Sequence, residues 1–197
     1  MCRLIETIRI LDGKAENIFW HNYRFNASRL KLFGQTEKID LGNRVIVPEE
    51  FSTGEVKCRL IYGASIESIE FEPYILRPVK TLKIVTDNEI DYNHKYLDRS
   101  TIQSIFSRKE DKDDVLIVKN GFFTDSSYCN LAFWDGKQFH TPTTALLKGT
   151  KRYKYLSENI LTEKEIRTDD LKNYREIHLI NAFMDIGRSI VLVKNIS

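Results

Sequence analysis

The sequence predicts a mixed α and β fold made of hairpins rather than regular β–α–β units. Three observations point there. Alternating, β-branched segments are separated by turn-forming residues; two stretches carry a helical period instead; and neither GxGxxG nor GxxxxGK[ST] is present to mark a doubly wound nucleotide-binding sheet. At 197 residues and 42% hydrophobic, the chain can bury the core of one domain, or of two small ones sharing a sheet boundary.

The first strand is "RLIETIRIL", and the "DGK" that follows has the chemistry of a hairpin turn. Alternation sets Ile5, Thr7, Arg9 and Leu11 on one face and Leu4, Glu6, Ile8 and Ile10 on the other. From about Phe19 to Phe33 the period is helical. Trp20, Tyr23, Ala27 and Leu30 form an apolar stripe, His21, Arg24 and Ser28 take a different face, and Gly34 supplies a C-terminal stop. Strands follow at "EVKCRLIYG" and "SIESIEFEPY". The proline-bearing stretch "ILRPVKT", residues 75 to 81, is then the expected domain boundary. Beyond it are expected a strand at 82 to 86, a segment around Lys95 leading into a helix, and a solvated charged loop, "SRKEDKDD". The strand-bearing stretches "DVLIVKNGFFTD" and "CNLAFWDGKQFHTP" come next, then a helix from about Thr150 to Asn159, a short helix near 169 to 174, and the strands "EIHLINA" and "SIVLVKN". There are no internal repeats and no low-complexity segments.

Several function classes are disfavoured. The formal charge is only +2 with the basic residues dispersed, so the footprint of a nucleic-acid binder is missing. No apolar run approaches the roughly 18 residues a bilayer span needs, and "MCRLIETIRI" lacks the layout of a signal peptide, so no membrane partner and a cytoplasmic location are expected. Cysteines 2, 58 and 129 form neither a disulfide framework nor a CxxC pair. Histidines 21, 94, 140 and 178 are dispersed, so no metal site is expected.

Three places carry candidate chemistry, each with a plainer reading beside it. Lys95, in "DYNHKYLDRSTIQSIF", is either a solvated lysine at a helix entrance or an amine placed to capture an aldehyde, which requires its neutral form. Asp125, in "GFFTDSSYCNLAFW", is either a turn aspartate or a carboxylate holding a pyridine nitrogen protonated. Gly149, Thr150 and Lys151, in "LLKGTKR", are either a simple N-cap or an anion cradle of helix amides, a hydroxyl and an ammonium.

Taken in order, "IETIRILDGK", "HNYRFNASRL", the lysine of "HKYLDR", "NGFFTDSSYCNLAFWDGKQFHTP", "LLKGTKR" and "IHLINAFMDI" resemble the signature set of the class IV pyridoxal-phosphate enzymes. Each motif is loose; the six in order make the match specific, and it spans Ile5 to about Val193. The resemblance implies an α+β fold of two domains, like that of D-amino-acid aminotransferase. Their extents would be 1–78 for the small N-terminal domain and 79–197 for the larger one carrying Lys95, with pyridoxal 5'-phosphate in the cleft and a homodimeric assembly. Lys95 matches the Schiff-base lysine, Arg9 an arginine on the cofactor phosphate, Gly149, Thr150 and Lys151 the phosphate turn, Asp125 the partner of the pyridine nitrogen, and Asn181 and Ala182 the segment beside the cofactor. Arg59 is expected to hold a substrate carboxylate, with Arg77 also available and Thr7 in the same polar pocket.

Three departures stand out: Asp125 replaces the usual Glu, Lys151 stands where a Thr or other small residue is usual, and the chain starts almost on the "ETIR" strand, short of the family's additional first strand and loop. The activity implied first is 4-amino-4-deoxychorismate lyase, forming 4-aminobenzoate and pyruvate for folate synthesis. A branched-chain or D-amino-acid aminotransferase is the alternative, and a non-catalytic binding protein on the same scaffold a third.

Overall fold

The structure, a computed structural model, describes residues 2–197 and divides into two compact units: 2–76 with 94–98, and 77–93 with 99–197. In the first unit, β1 (Leu4–Leu11) turns through Asp12 and Gly13, both at positive φ, into β2 (Lys14–Ala15). That pair of left-handed residues gives the tight hairpin its twist, and Gly adopts such a conformation at little cost. Helix α1 (Ile18–Phe33) follows, then β3 (Glu55–Tyr62) and β4 (Ile66–Pro73), and the sheet runs β2-β1-β3-β4, antiparallel throughout. Its core face presents Leu4, Ile8 and Ile10 of β1 and Val56, Cys58, Leu60 and Tyr62 of β3, packed with Phe25 of α1.

Helix α1 overturns the expected stripe. Tyr23, Ala27 and Leu30 are exposed, and the buried residues are His21, Phe25, Ser28 and Arg29. The apolar pattern misleads here because polar groups on the buried face have partners that only the fold supplies: Arg29 donates to the carbonyls of Ala64 and Glu37, and His21 meets a carboxylate described below. Gly34 does end the helix, at φ 66°, with its amide donating to Leu30 O.

The second unit holds two sheets. One is β5 (Leu82–Thr86), β6 (Asp114–Lys119) and β7 (Phe122–Ser126), with β5 parallel to β6 and the β6–β7 hairpin turning at Asn120 and Gly121. The other has the order β10-β9-β8-β11-β12, with β8 (Asn130–Trp134), β9 (Phe139–Pro142), β10 (Leu161–Lys164), β11 (Glu176–Ile180) and β12 (Ile190–Leu192). Helices α2 (Ser100–Phe106) and α3 (Thr150–Ser157) belong to the same unit.

Three local differences from expectation appear. Strand β10 has little apolar signal because only Leu161 is buried. The helix expected near 169 to 174 is a 3-10 turn, Thr168–Asn173. The loop "SRKEDKDD" begins as a 3-10 turn and ends in β6 on a fully buried Asp114. Segment 94–98, expected at the head of the second domain, packs with the first unit instead. There the Ile5 amide donates to Lys95 O at 2.9 Å, the Leu97 amide to Arg3 O at 2.9 Å, and Leu4 bridges Tyr96. Among the described residues no helix is long and apolar enough to cross a membrane.

Candidate functional site

In the first unit, Lys95 sits where its backbone pairs with β1, its side chain half-buried. Close by lies a buried charged cluster. Glu6 is fully buried on the core face of β1, and its carboxylate meets His21 Nδ1 at 2.6 Å and accepts from Arg24 Nε at 2.8 Å and Nη2 at 2.6 Å. Burial pushes the Glu6 carboxyl up, but the Arg24 guanidinium and the hydrogen bonds from His21 and Arg24 outweigh it and hold it at about 2. His21 is shifted the other way: burial favours the neutral ring over the opposing pull of Glu6, and the charges of Arg24 and Lys95 add to the lowering. Lys95 is therefore within electrostatic reach of a neutral imidazole tied to a carboxylate.

Thr7, Arg9 and Arg59 lie on the opposite face of the same sheet, as alternation predicts, with Thr7 directly across from Arg59. Arg9 is engaged already: Nε is 2.6 Å from Glu55 and Nη1 is 3.1 Å from Glu16. An anion reaching that guanidinium would compete with two carboxylates.

In the second unit, Asp125 on β7 is 5% exposed. Its Oδ1 accepts from Asn130 Nδ2 at 2.6 Å and its Oδ2 from the Leu147 amide at 3.0 Å. Burial raises its carboxyl to about 6 against the opposing amides of Leu147 and Leu146, the Asn130 bond and the charge of Arg152. Gly149 precedes α3, and its amide donates to Asn130 Oδ1 at 3.1 Å. A Cβ on Gly149 would lie 2.1 Å from that same oxygen, so the close approach requires glycine. Thr150 opens α3 as a buried residue. Lys151 is 96% enclosed and committed: its Nζ reaches Asp185 Oδ1 at 2.5 Å, an oxygen that also accepts from Tyr155 at 2.8 Å. Asn181 closes a turn after β11, its Oδ1 accepting from the Phe183 and Met184 amides at 2.8 and 3.0 Å and its Nδ2 donating to Cys129 Sγ at 3.2 Å, with half-buried Ala182 beside it.

Within the first unit, then, the charge of Lys95 is felt at the His21 ring that pairs with Glu6. Within the second, Asp125 and the Gly149 turn are joined through Asn130. None of Glu6, His21, Arg24, Asn130 and Asp185 stood among the candidate site residues. Part of the signal was present: alternation put Glu6 on the face of Ile8 and Ile10, where a carboxylate demands a buried partner, and His21 and Arg24 are one turn apart on a helix. No cluster of three or more His, Cys, Asp or Glu side chains that could hold a metal ion occurs among the described residues.

Comparison with known proteins gives a consistent outcome. Residues 64–190 match the family described as Amino-transferase class IV. An uncharacterised protein of Haemophilus influenzae is 35% identical over 184 residues, 92% of this chain and 98% of that protein. A proposed aminodeoxychorismate lyase of Schizosaccharomyces pombe is 26% identical over 151 residues, 72% of this chain and 64% of that one. Among solved structures, a proposed 4-amino-4-deoxychorismate lyase from Haemophilus somnus superposes with a TM-score of 0.86 at 33% identity, covering 93% of this chain and 97% of the other. A hypothetical aminotransferase from Mycobacterium tuberculosis in its PLP-bound form shares the fold, with a TM-score of 0.77 at 16% identity over 99% and 81% of the two chains.

Proposed function

Because the chain belongs to the class IV aminotransferase family, we propose that it is a pyridoxal-phosphate-dependent enzyme, and specifically a lyase that converts 4-amino-4-deoxychorismate to 4-aminobenzoate and pyruvate. The observation carrying the cofactor reading is Asp125, an enclosed carboxylate set near 6 and held by amides and an amide side chain rather than by an ion-pairing cation in contact. Such a group fits a ring nitrogen that must keep its proton. Lys95 is the proposed attachment point because it stands at the family's Schiff-base position in the motif order, half-buried with its backbone paired to β1. Arg9 and Lys151 fit less well as free phosphate cations, each being paired with carboxylate. The amides that open α3 fit a phosphate better.

When bound, the cofactor would supply an aldehyde for amine exchange and a protonated ring to accept electron density. The protein residues then have distinct tasks. Lys95 Nζ takes the proton from the substrate carbon bearing the exchanged amine and returns it where the leaving pyruvate needs it. Asp125 keeps the proton at the ring nitrogen. With the Gly149 amide committed to Asn130, the backbone amides of Thr150 and Lys151 that open α3 would hold the phosphate. Arg59, across from Thr7, is offered to a substrate carboxylate, and Asn181 and Ala182 line the cofactor's side in this reading. Formation of an aromatic ring drives elimination forward. The identity of 33% and TM-score of 0.86 with the Haemophilus somnus protein support the lyase over a transaminase.

Protein incubated with pyridoxal phosphate is expected to absorb in the visible, to be fixed covalently by borohydride at Lys95, and to lose both properties as Lys95→Ala. Colourless protein that borohydride does not fix would leave a binding protein on this scaffold. With aminodeoxychorismate as substrate, pyruvate is expected. Glutamate formed from amino acids and 2-oxoglutarate, with no pyruvate from aminodeoxychorismate, would replace the lyase with an aminotransferase.

A further inference from the structure

Asn130 belongs to none of the roles assigned so far, yet it is the point where two of them meet. It is the first residue of β8, 7% exposed, five residues beyond Asp125 and nineteen before Gly149. A primary amide has two N–H donors and one carbonyl acceptor group, and each is used in a specific direction. One Nδ2 contact is Asp125 Oδ1 at 2.6 Å, a second is the Leu147 carbonyl at 2.7 Å, and Oδ1 accepts the Gly149 amide at 3.1 Å. Leu147 in turn gives its own amide to Asp125 Oδ2. The carboxylate on β7, the 147–149 turn and the entrance of α3 are closed into one ring of hydrogen bonds, with a single side chain at its centre. The approach is so close that Gly149 has no room for a Cβ against Asn130 Oδ1.

We propose that Asn130 is a positioning residue that couples the two anchoring ends of the site, holding Asp125 as an oriented carboxylate and the Gly149 turn in its anion-receiving conformation through one side chain. The coupling rests on the cofactor reading above for its purpose, and on the hydrogen-bond ring for its existence. Asparagine suits the task as no charged residue does. A carboxylate at 130 could accept from Gly149 but could not donate to Asp125 or to Leu147 O, and it would place like charge beside Asp125. A lysine could donate but not accept. Asp125 also faces the Leu146 and Leu147 amides and the guanidinium of Arg152 on α3, whose charge is shared with Glu163 and the Pro142 carbonyl. Burial alone favours a neutral carboxyl, so the Asn130 bond belongs to the small set of contacts that keep Asp125 ionised near neutral pH.

The test uses the full chain and separates structure from cofactor chemistry. In the apoprotein, carbon-13 NMR of aspartate carboxyls follows the Asp125 titration in wild type, Asn130→Ala and Asn130→Asp. Equilibrium dialysis of the same proteins measures affinity for pyridoxal phosphate and for pyridoxal, which lacks the phosphate. Asn130→Ala is expected to raise the Asp125 midpoint by about one pH unit and to weaken pyridoxal phosphate binding about tenfold or more. It should also narrow the preference for the phosphorylated ligand, because both ends are loosened. Asn130→Asp keeps the acceptor for Gly149, so it should raise the Asp125 midpoint while the preference for phosphate over no phosphate stays nearer wild type. This near-isosteric variant also serves if Asn130→Ala does not fold. If either variant titrates Asp125 at the wild-type midpoint, or if Asn130→Ala binds pyridoxal phosphate as wild type does, the coupling is overturned. Wild-type protein that binds neither ligand would sink the cofactor reading instead, and the Asp125 titration would still decide whether Asn130 governs that carboxyl.

Discussion

Glu6 shows how much a single buried residue can set. Its carboxyl is held at about 2 against an ordinary 4.5, so the unfolded chain takes up its proton first as pH falls. The stability it contributes is fully present above about 4.5 and is lost as pH drops toward about 2. Glu6→Gln is expected to remove that acid-limb dependence and to cost about 3–5 kcal/mol near neutral pH, because Arg24 loses its counter-charge in a buried setting. Urea denaturation at pH 7 and at pH 2.5 measures both. Asp125 works in the opposite direction. Its carboxyl rises from 3.8 to about 6 on folding, so the folded state holds the proton longer, and stability declines as pH climbs through that window. Asp125→Asn should flatten this decline between about pH 4 and 6 while abolishing the visible absorbance of protein incubated with pyridoxal phosphate; an unchanged slope would show that Asp125 titrates normally.

At the level of elements, the entrance of α3 is shaped by fit more than by helix propensity. Gly149 has an extended φ of −70° and ψ of 152° that any residue can adopt, so its requirement for glycine comes wholly from the approach of Asn130. Gly149→Ala should therefore destabilise by about 1–3 kcal/mol through overpacking. In an Asn130→Ala background the same change should cost far less, a non-additivity that a double-mutant cycle of unfolding free energies would show. Equal costs in the two backgrounds would mean that the clash is absorbed elsewhere. The same helix shows why Lys151 does not serve as a loose phosphate cation: Asp185 and the Tyr155 hydroxyl hold one another and the lysine on the solvent-poor side of α3. Burial and the Asp185 charge both push the Tyr155 hydroxyl well above the usual tyrosine range, so it stays a donor.

For the whole chain, the consequential feature is that the first compact unit is discontinuous. Residues 94–98 return to β1, and their contacts supply backbone partners for Arg3, Leu4 and Ile5. A fragment of residues 1–76 lacks those partners and leaves one edge of β1 open at its start. Its Ile5 amide is expected to exchange with solvent at least tenfold faster than in the full chain, as hydrogen-exchange NMR would record. Equal protection would mean that 94–98 contributes nothing to that edge. Lys95 is thereby anchored by its own backbone to the strand that carries Glu6.

Much of this was readable in the linear order of residues. Strand alternation in "RLIETIRIL", the Asp12–Gly13 turn, the Gly34 stop and the strand at 82–86 are local matters of period and backbone freedom, and they stand as expected. Six loosely spaced motifs sufficed for the family because their order survives even where single residues drift. Partnership was not legible. The buried face of α1 is largely polar, against the apolar stripe its period predicts, since nothing in the sequence says that Glu6 faces His21 and Arg24, residues 15 and 18 positions away. In the same way Arg9 and Lys151 read as available cations until packing brought Glu16, Glu55 and Asp185 against them. Short-range geometry is written in neighbouring residues, whereas the charge state of a group depends on whatever distant atoms desolvate and pair with it, and those are chosen only when the chain folds.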